Sequence, residues 1–125
     1  MRVSQNVLKT ILQSNVAEVK FSRRDPKPGF PPWRRMLCTN NGQLLNSPKG
    51  RTVLRYTPPV QALKYNPDMK NLVLTWDIFM QDYRNITVDR CELVSLIPAN
   101  DAFWEYFTTA VVQMTSQEKL EFMKI

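Results

Sequence analysis

The chain has 125 residues, 43% hydrophobic and 22% charged, with a formal charge of +6. It reads as one soluble domain over 1–125, and no run of about 18 apolar residues offers a membrane span. It has no histidine and only two cysteines, Cys38 and Cys91, which excludes Ser-His-Asp and Cys-His catalysis and zinc sites of the Cys/His type.

Taken in order, residues 1–15 hold a short helix. Ser4 is a cap, and Val7, Leu8, Ile11 and Leu12 recur at helical spacing. Val16 to Ser22 alternates as a strand, with Ala17, Val19 and Phe21 on one face. Residues 23–32 carry four prolines, one glycine and the cations Arg23, Arg24 and Lys27; this composition fits an exposed, stiff loop. Trp33 to Thr39 is a second strand containing Arg34 and Arg35. Turns are expected at Asn40-Asn41-Gly42 and over residues 46–50, the latter including Lys49. A third strand is expected over 51–56, placing Arg51 and Arg55 on one face about Val53. A proline-marked connector runs from Thr57 to Lys70.

The most regular text follows, over 71–98. Leu72, Leu74, Trp76 and Ile78 alternate toward a buried face. Gln81-Asp82 suits a turn. Arg84, Ile86, Val88 and Arg90 share one side of the next strand, and a last apolar run closes at Pro98. Three strands with short turns form a meander. Asp101 is expected to cap a C-terminal helix with a broad face of Phe103, Trp104, Phe107, Ala110, Val111 and Met114. Thr115 and Glu118 have the spacing of a capping box for a final short helix. The expected fold is mainly β with flanking helices: a small barrel of five or six strands over 16–98, a short N-terminal helix, and a helix or helix pair over 99–125.

The segments Thr75-Trp76-Asp77, Asp82 to Arg90 and Leu93-Val94-Ser95-Leu96 resemble the C-terminal half of the WYL domain, although Asn71-Leu72-Val73 stands where its namesake tripeptide would be. Arg35-Met36-Leu37-Cys38-Thr39 together with Leu74-Thr75-Trp76-Asp77 is similar to small tailed-phage proteins of SH3 β-barrel fold. The resemblance implies an SH3/Sm-like barrel. It also implies a ligand- or nucleic-acid-sensing role, with Arg84 and Arg90 at the matching basic positions, or a phage accessory role in the host cytoplasm.

Charge is polarised along the chain. Residues 1–55 hold eleven Lys/Arg and two Asp/Glu, whereas residues 56–125 hold six and nine. Such polarity lets one side meet an anionic partner. The candidate nucleic-acid surface, for DNA or RNA, is Arg23, Arg24, Lys27, Trp33, Arg34, Arg35, Lys49, Arg51 and Arg55, extended to Arg84 and Arg90. Phosphates need cations, and unstacked bases need aromatic faces. The alternative is a protein-interaction module, docking on a host regulatory or defence protein or forming a homodimer through Trp104 and Tyr106. Asp77, Asp82, Asp89 and Glu92 are read as structural, with Asp77 and Asp89 pairing to Arg84 and Arg90 across strands. The expectation is a cytoplasmic, non-enzymatic protein without metal or cofactor, its N-terminus lacking the apolar core of a signal peptide.

Overall fold

The computed structural model describes residues 1–22, 28–29, 32–59 and 66–123. Ser4 caps the first helix as expected, its hydroxyl accepting from the Val7 N–H at 3.3 Å. Helix α1 (Gln5–Ser14) buries Leu8 and Leu12, one turn apart. Strand β1 (Asn15–Ser22) starts at the residue that ends the helix, with no intervening loop. The Thr39 hydroxyl donates to Asn15 O at 2.8 Å and holds that corner to strand β2 (Trp33–Thr39).

After β2 the chain is helical, which corrects the expectation of a third strand over 51–56. Asn41 caps α2 (Gly42–Asn46), and Ser47 caps α3 (Pro48–Thr52) by accepting from the Gly50 N–H at 3.0 Å. Proline directly after a serine cap starts a helix well, because its missing N–H would have no partner there anyway. Residues 46–50 were therefore a helix start as much as a turn. Helix α3 lies close on α2: a Cβ at Gly50 would fall 2.2 Å from Leu44 O. Buried Leu54 anchors the exit, and Arg55 takes a φ of +54°.

The later strands are β3 (Leu72–Asp77), β4 (Asp82–Thr87) and β5 (Cys91–Pro98). The hydrogen-bonded order is β4-β3-β2-β1-β5, and every pairing is antiparallel. The expected barrel is thus, among the described residues, a five-stranded open sheet with helices at both ends. The ladder does not close, because β4 and β5 are its two edges.

Those edges are nevertheless joined by a single turn of 3-10 helix, Val88–Arg90. Four Cα steps reach at most about 15 Å. Four flat strand spacings would need about 19 Å. The sheet is therefore curled at this end. One buried cluster confirms it by holding residues from both edges: Ile86 of β4 with Cys91 and Leu93 of β5, alongside Leu8, Leu12, Val19 and Met36. The convex face carries a second cluster of Val16, Leu37, Leu44, Leu45, Leu54, Trp76, Ile78, Phe103 and Phe107.

This two-sided burial corrects the reading of β3. Leu72 and Leu74 are only half-buried, while Val73 and Thr75 of the opposite face are buried. A strand covered on both sides does not reveal its inner face by alternation. Likewise β4 ends at Thr87, so Val88 and Arg90 belong to the 3-10 turn and do not continue the strand face.

Asn100, rather than Asp101, caps helix α4 (Asp101–Tyr106), its side-chain carbonyl accepting from the Ala102 N–H at 2.9 Å. The helix widens into a π turn over Phe107–Val111. The Thr115–Glu118 box forms: the Glu118 N–H donates to Thr115 Oγ1 at 3.1 Å, and the Thr115 N–H to Glu118 Oε1 at 3.5 Å. It starts helix α5 (Ser116–Met123), which has no buried residue. No helix among the described residues is long and apolar enough to cross a membrane.

Candidate nucleic-acid interface

The two arginines at the centre of the expected basic surface are adjacent on β2, so their side chains leave by opposite faces. Arg34 turns to the concave side and meets Asp77 at 2.6 Å; the Asp77 side chain is fully buried and that of Arg34 is 12% exposed. The other Asp77 oxygen accepts from the Phe79 and Met80 N–H groups, both at 3.1 Å, and so shapes the β3–β4 turn. Arg35 turns to the convex side and pairs with Glu18 at 3.1 Å. Neither guanidinium is a free cation for phosphate. The expected partnership of Asp77 with Arg84 is corrected to Arg34, and Asp89 accepts from the Asn71 amide at 3.0 Å in place of pairing with Arg90. Glu92 pairs with Lys20 at 3.3 Å.

The remaining cations are dispersed. Arg23, Arg24 and Lys27 lie outside the described residues. Trp33 is half-buried beneath Lys20, whose ammonium is 5.7 Å from the ring centroid. Arg84 is exposed on edge strand β4, and Arg90 is half-buried in the 3-10 turn. Among the described residues, no single basic face unites the expected cations.

One compact group does assemble, on α3 and the loop behind it. Lys49, Arg51 and Arg55 are exposed. Among the described residues no carboxylate lies within ion-pair distance of any of them. The Tyr56 N–H donates to Gly50 O at 3.1 Å and doubles the chain back, so Arg55, on the loop, returns toward α3, which carries Arg51. Each of the first two cations covers an aromatic ring. Lys49 Nζ is 5.5 Å from the Trp104 centroid, and the Arg51 guanidinium is 5.5 Å from that of Tyr56. Lys49 and Trp104 also line a shallow cleft of about 370 Å³ with Asp101 and Glu105.

Tyr56 belongs to a ring cluster with Trp76 and Tyr83, joined edge-to-face at centroid distances of 5.1 to 6.1 Å. The Tyr56 and Tyr83 hydroxyls are 2.7 Å apart. Burial, and then that bond, push the Tyr83 phenol above its ordinary range. A strand over 51–56 would put Tyr56 on the face opposite the arginines; the helix exit instead brings its ring under Arg51. The signal available in the sequence is Tyr56 directly after Arg55 and five residues from Arg51, since an aromatic among arginines suits stacking.

Trp104 and Tyr106, the expected protein-docking anchors, are both half-buried. Trp104 stacks edge-on against Phe103 and Phe107 at 5.1 and 6.0 Å. Tyr106 is raised in pKa by burial and then by the nearby Glu18 carboxylate.

No family model, curated protein or solved structure matches this chain. The two thiols are buried, and the described residues contain no group of three or more Cys, Asp or Glu able to hold a metal ion.

Proposed function

We propose that this chain is a small non-enzymatic accessory protein that binds nucleic acid through the α3 patch of Lys49, Arg51 and Arg55. The observation carrying this reading is that three exposed cations without carboxylate partners sit together, two of them over aromatic rings. Cations held by stacking keep their remaining donors for phosphate, and guanidinium planes stack on bases as well as on phenols. The surface is narrower than the sequence implied, because Arg34 and Arg35 are committed to Asp77 and Glu18.

At the level of fold, we assign the curled sheet to the SH3/Sm-like class. The order β4-β3-β2-β1-β5, with one 3-10 turn linking the two edges, supports this assignment and agrees with the resemblance of the meander to WYL and phage SH3-type proteins.

The test is binding of labelled single strands, duplex DNA and RNA by the wild type and by a Lys49→Glu, Arg51→Glu, Arg55→Glu variant. All three positions are exposed, so the variant should fold. Its affinity should drop about tenfold or more at low salt. Unchanged affinity in a folded triple variant would refute the patch.

A further inference from the structure

Helix α5 is attached to the sheet by its last turn. It buries no residue, and Leu120 is 47% exposed. Its anchors are Phe122 and Met123. The Phe122 ring lies 4.9 Å from the Arg35 guanidinium and 5.0 Å, edge-on, from the Phe79 ring. Met123 Sδ is 3.7 Å from an Arg34 nitrogen. The site beneath is a gap in the sheet. Strand β3 pairs with β2 only at Cys38↔Asp77 and Thr39↔Trp76, so residues 33–36 of β2 run on without a β3 neighbour.

The Phe122 ring therefore has a guanidinium on one side and the Phe79 ring against it. This is the environment that proteins offer to an unstacked nucleobase: a planar cation and an aromatic ring beside a cationic strand. Lys20, paired across the ladder with Arg35, is held by Glu92 at 3.3 Å, so the slot offers a base stacking rather than a phosphate contact. The occupant is the protein's own residue, on a helix that, among the described residues, reaches the sheet only through its last turn, Phe122 with Met123 beside it. We propose that Phe122 occupies a nucleobase slot formed by Arg35 and Phe79, and that α5 is a self-blocking strap which a single-stranded nucleic acid displaces.

This rests on the nucleic-acid reading and deepens it by specifying single strands with accessible bases. A ring resting on a partly exposed guanidinium by a weak cation–π contact holds the slot closed most of the time. Removing it should tighten binding about five- to tenfold, the inverse of the open fraction.

Fluorescence anisotropy with a single-stranded 12-mer and an abasic 12-mer tests this on the full chain. Phe122→Ala should tighten binding of the base-bearing strand about five- to tenfold and leave the abasic strand unchanged. Phe122→Trp, which refills the slot, should restore the wild-type value, and adding Phe79→Ala to Phe122→Ala should erase the gain. Hydrogen exchange over 116–123 should speed up when the base-bearing strand binds the wild type. Unchanged affinity in Phe122→Ala, or an equal gain for both strands, overturns the strap. If that result comes while charge reversal on α3 still weakens binding, the α3 patch stands. A base-dependent gain with no effect of α3 reversal would uphold the strap and overturn the patch. If neither the wild type nor Phe122→Ala binds any strand, both fall.

Discussion

Asp77 shows what one residue decides here. Its carboxylate is fully buried, holds Arg34 at 2.6 Å and accepts two turn N–H groups. Removing one member of such a pair leaves an uncompensated charge out of water, which costs about 3–5 kcal/mol. Asp77→Ala should therefore show a large fall in urea midpoint, whereas Asp82→Ala, on an exposed side chain, should shift it little. The sequence made Asp77 structural correctly and chose the wrong arginine. Arg84 is seven residues away and Arg34 is 43, and only the third dimension ranks those distances differently. The thiols make a second case. Burial and then the Glu92 charge push the Cys91 thiol up to about 11, and burial pushes Cys38 further. A raised folded-state pKa means that stability is fully present below the unfolded value of about 8.5 and is lost as pH rises above it. The urea midpoint should fall between about pH 8.5 and 11, and less so in Cys91→Ala relative to its own neutral-pH value. A flat profile over that window would contradict the burial of both thiols.

Among the elements, the α2–α3 pair matters most to the proposed function, because α3 carries Lys49 and Arg51 and its exit carries Arg55. Its geometry depends on Gly50, where a Cβ would lie 2.2 Å from Leu44 O and 2.4 Å from Leu45 O. Both obstacles are backbone, so one helix must move. Overpacking of this kind costs about 1–3 kcal/mol or more. Gly50→Ala should lower thermal stability and also weaken oligonucleotide binding, although it removes no charge; a stable variant with wild-type binding would show that the helices tolerate separation. The short local elements were legible where side chains announce them. Ser4 and the Thr115–Glu118 box cap helices as their types imply. The segment over 51–56 was not legible, because alternating Arg, Val and Leu fits a strand as well as a helix exit. What decided it was the Ser47-Pro48 start upstream and the burial of Leu54 under the convex cluster. Leu72 and Leu74 misled for a related reason: helices cover both faces of the sheet.

For the molecule as a whole, the formal charge of +6 overstates the binding surface. Only three of the seventeen Lys/Arg side chains make up the α3 patch. Among the described residues, Arg34, Arg35 and Lys20 are paired with carboxylates, and Arg84 and Arg90 stand on edge strand β4 and the 3-10 turn. With about three phosphate contacts, log K should fall with log salt at a slope of about −2.7 on duplex DNA. Contact by all eight cations of the expected face, or by ten with Arg84 and Arg90, would give a slope of about −7 to −9. Salt titration of the wild type thus reads the extent of the surface directly, and a slope near −8 would return the proline-loop cations and Arg34 to the interface.

Composition, charge polarity, the helix caps and the strands at 33–39 and 72–77 were written in local text, because capping and strand propensity act between near neighbours. The missing histidines likewise bounded the chemistry before any fold was known. The partner of each arginine, the open but curled sheet and the helical detour between β2 and β3 were decided only on folding. Each depends on which distant segments share a face once the apolar clusters on both sides of the sheet are buried. A cation's availability is set by its neighbours in space, and for Arg34 and Arg35 those neighbours are carboxylates that no spacing in the sequence identified.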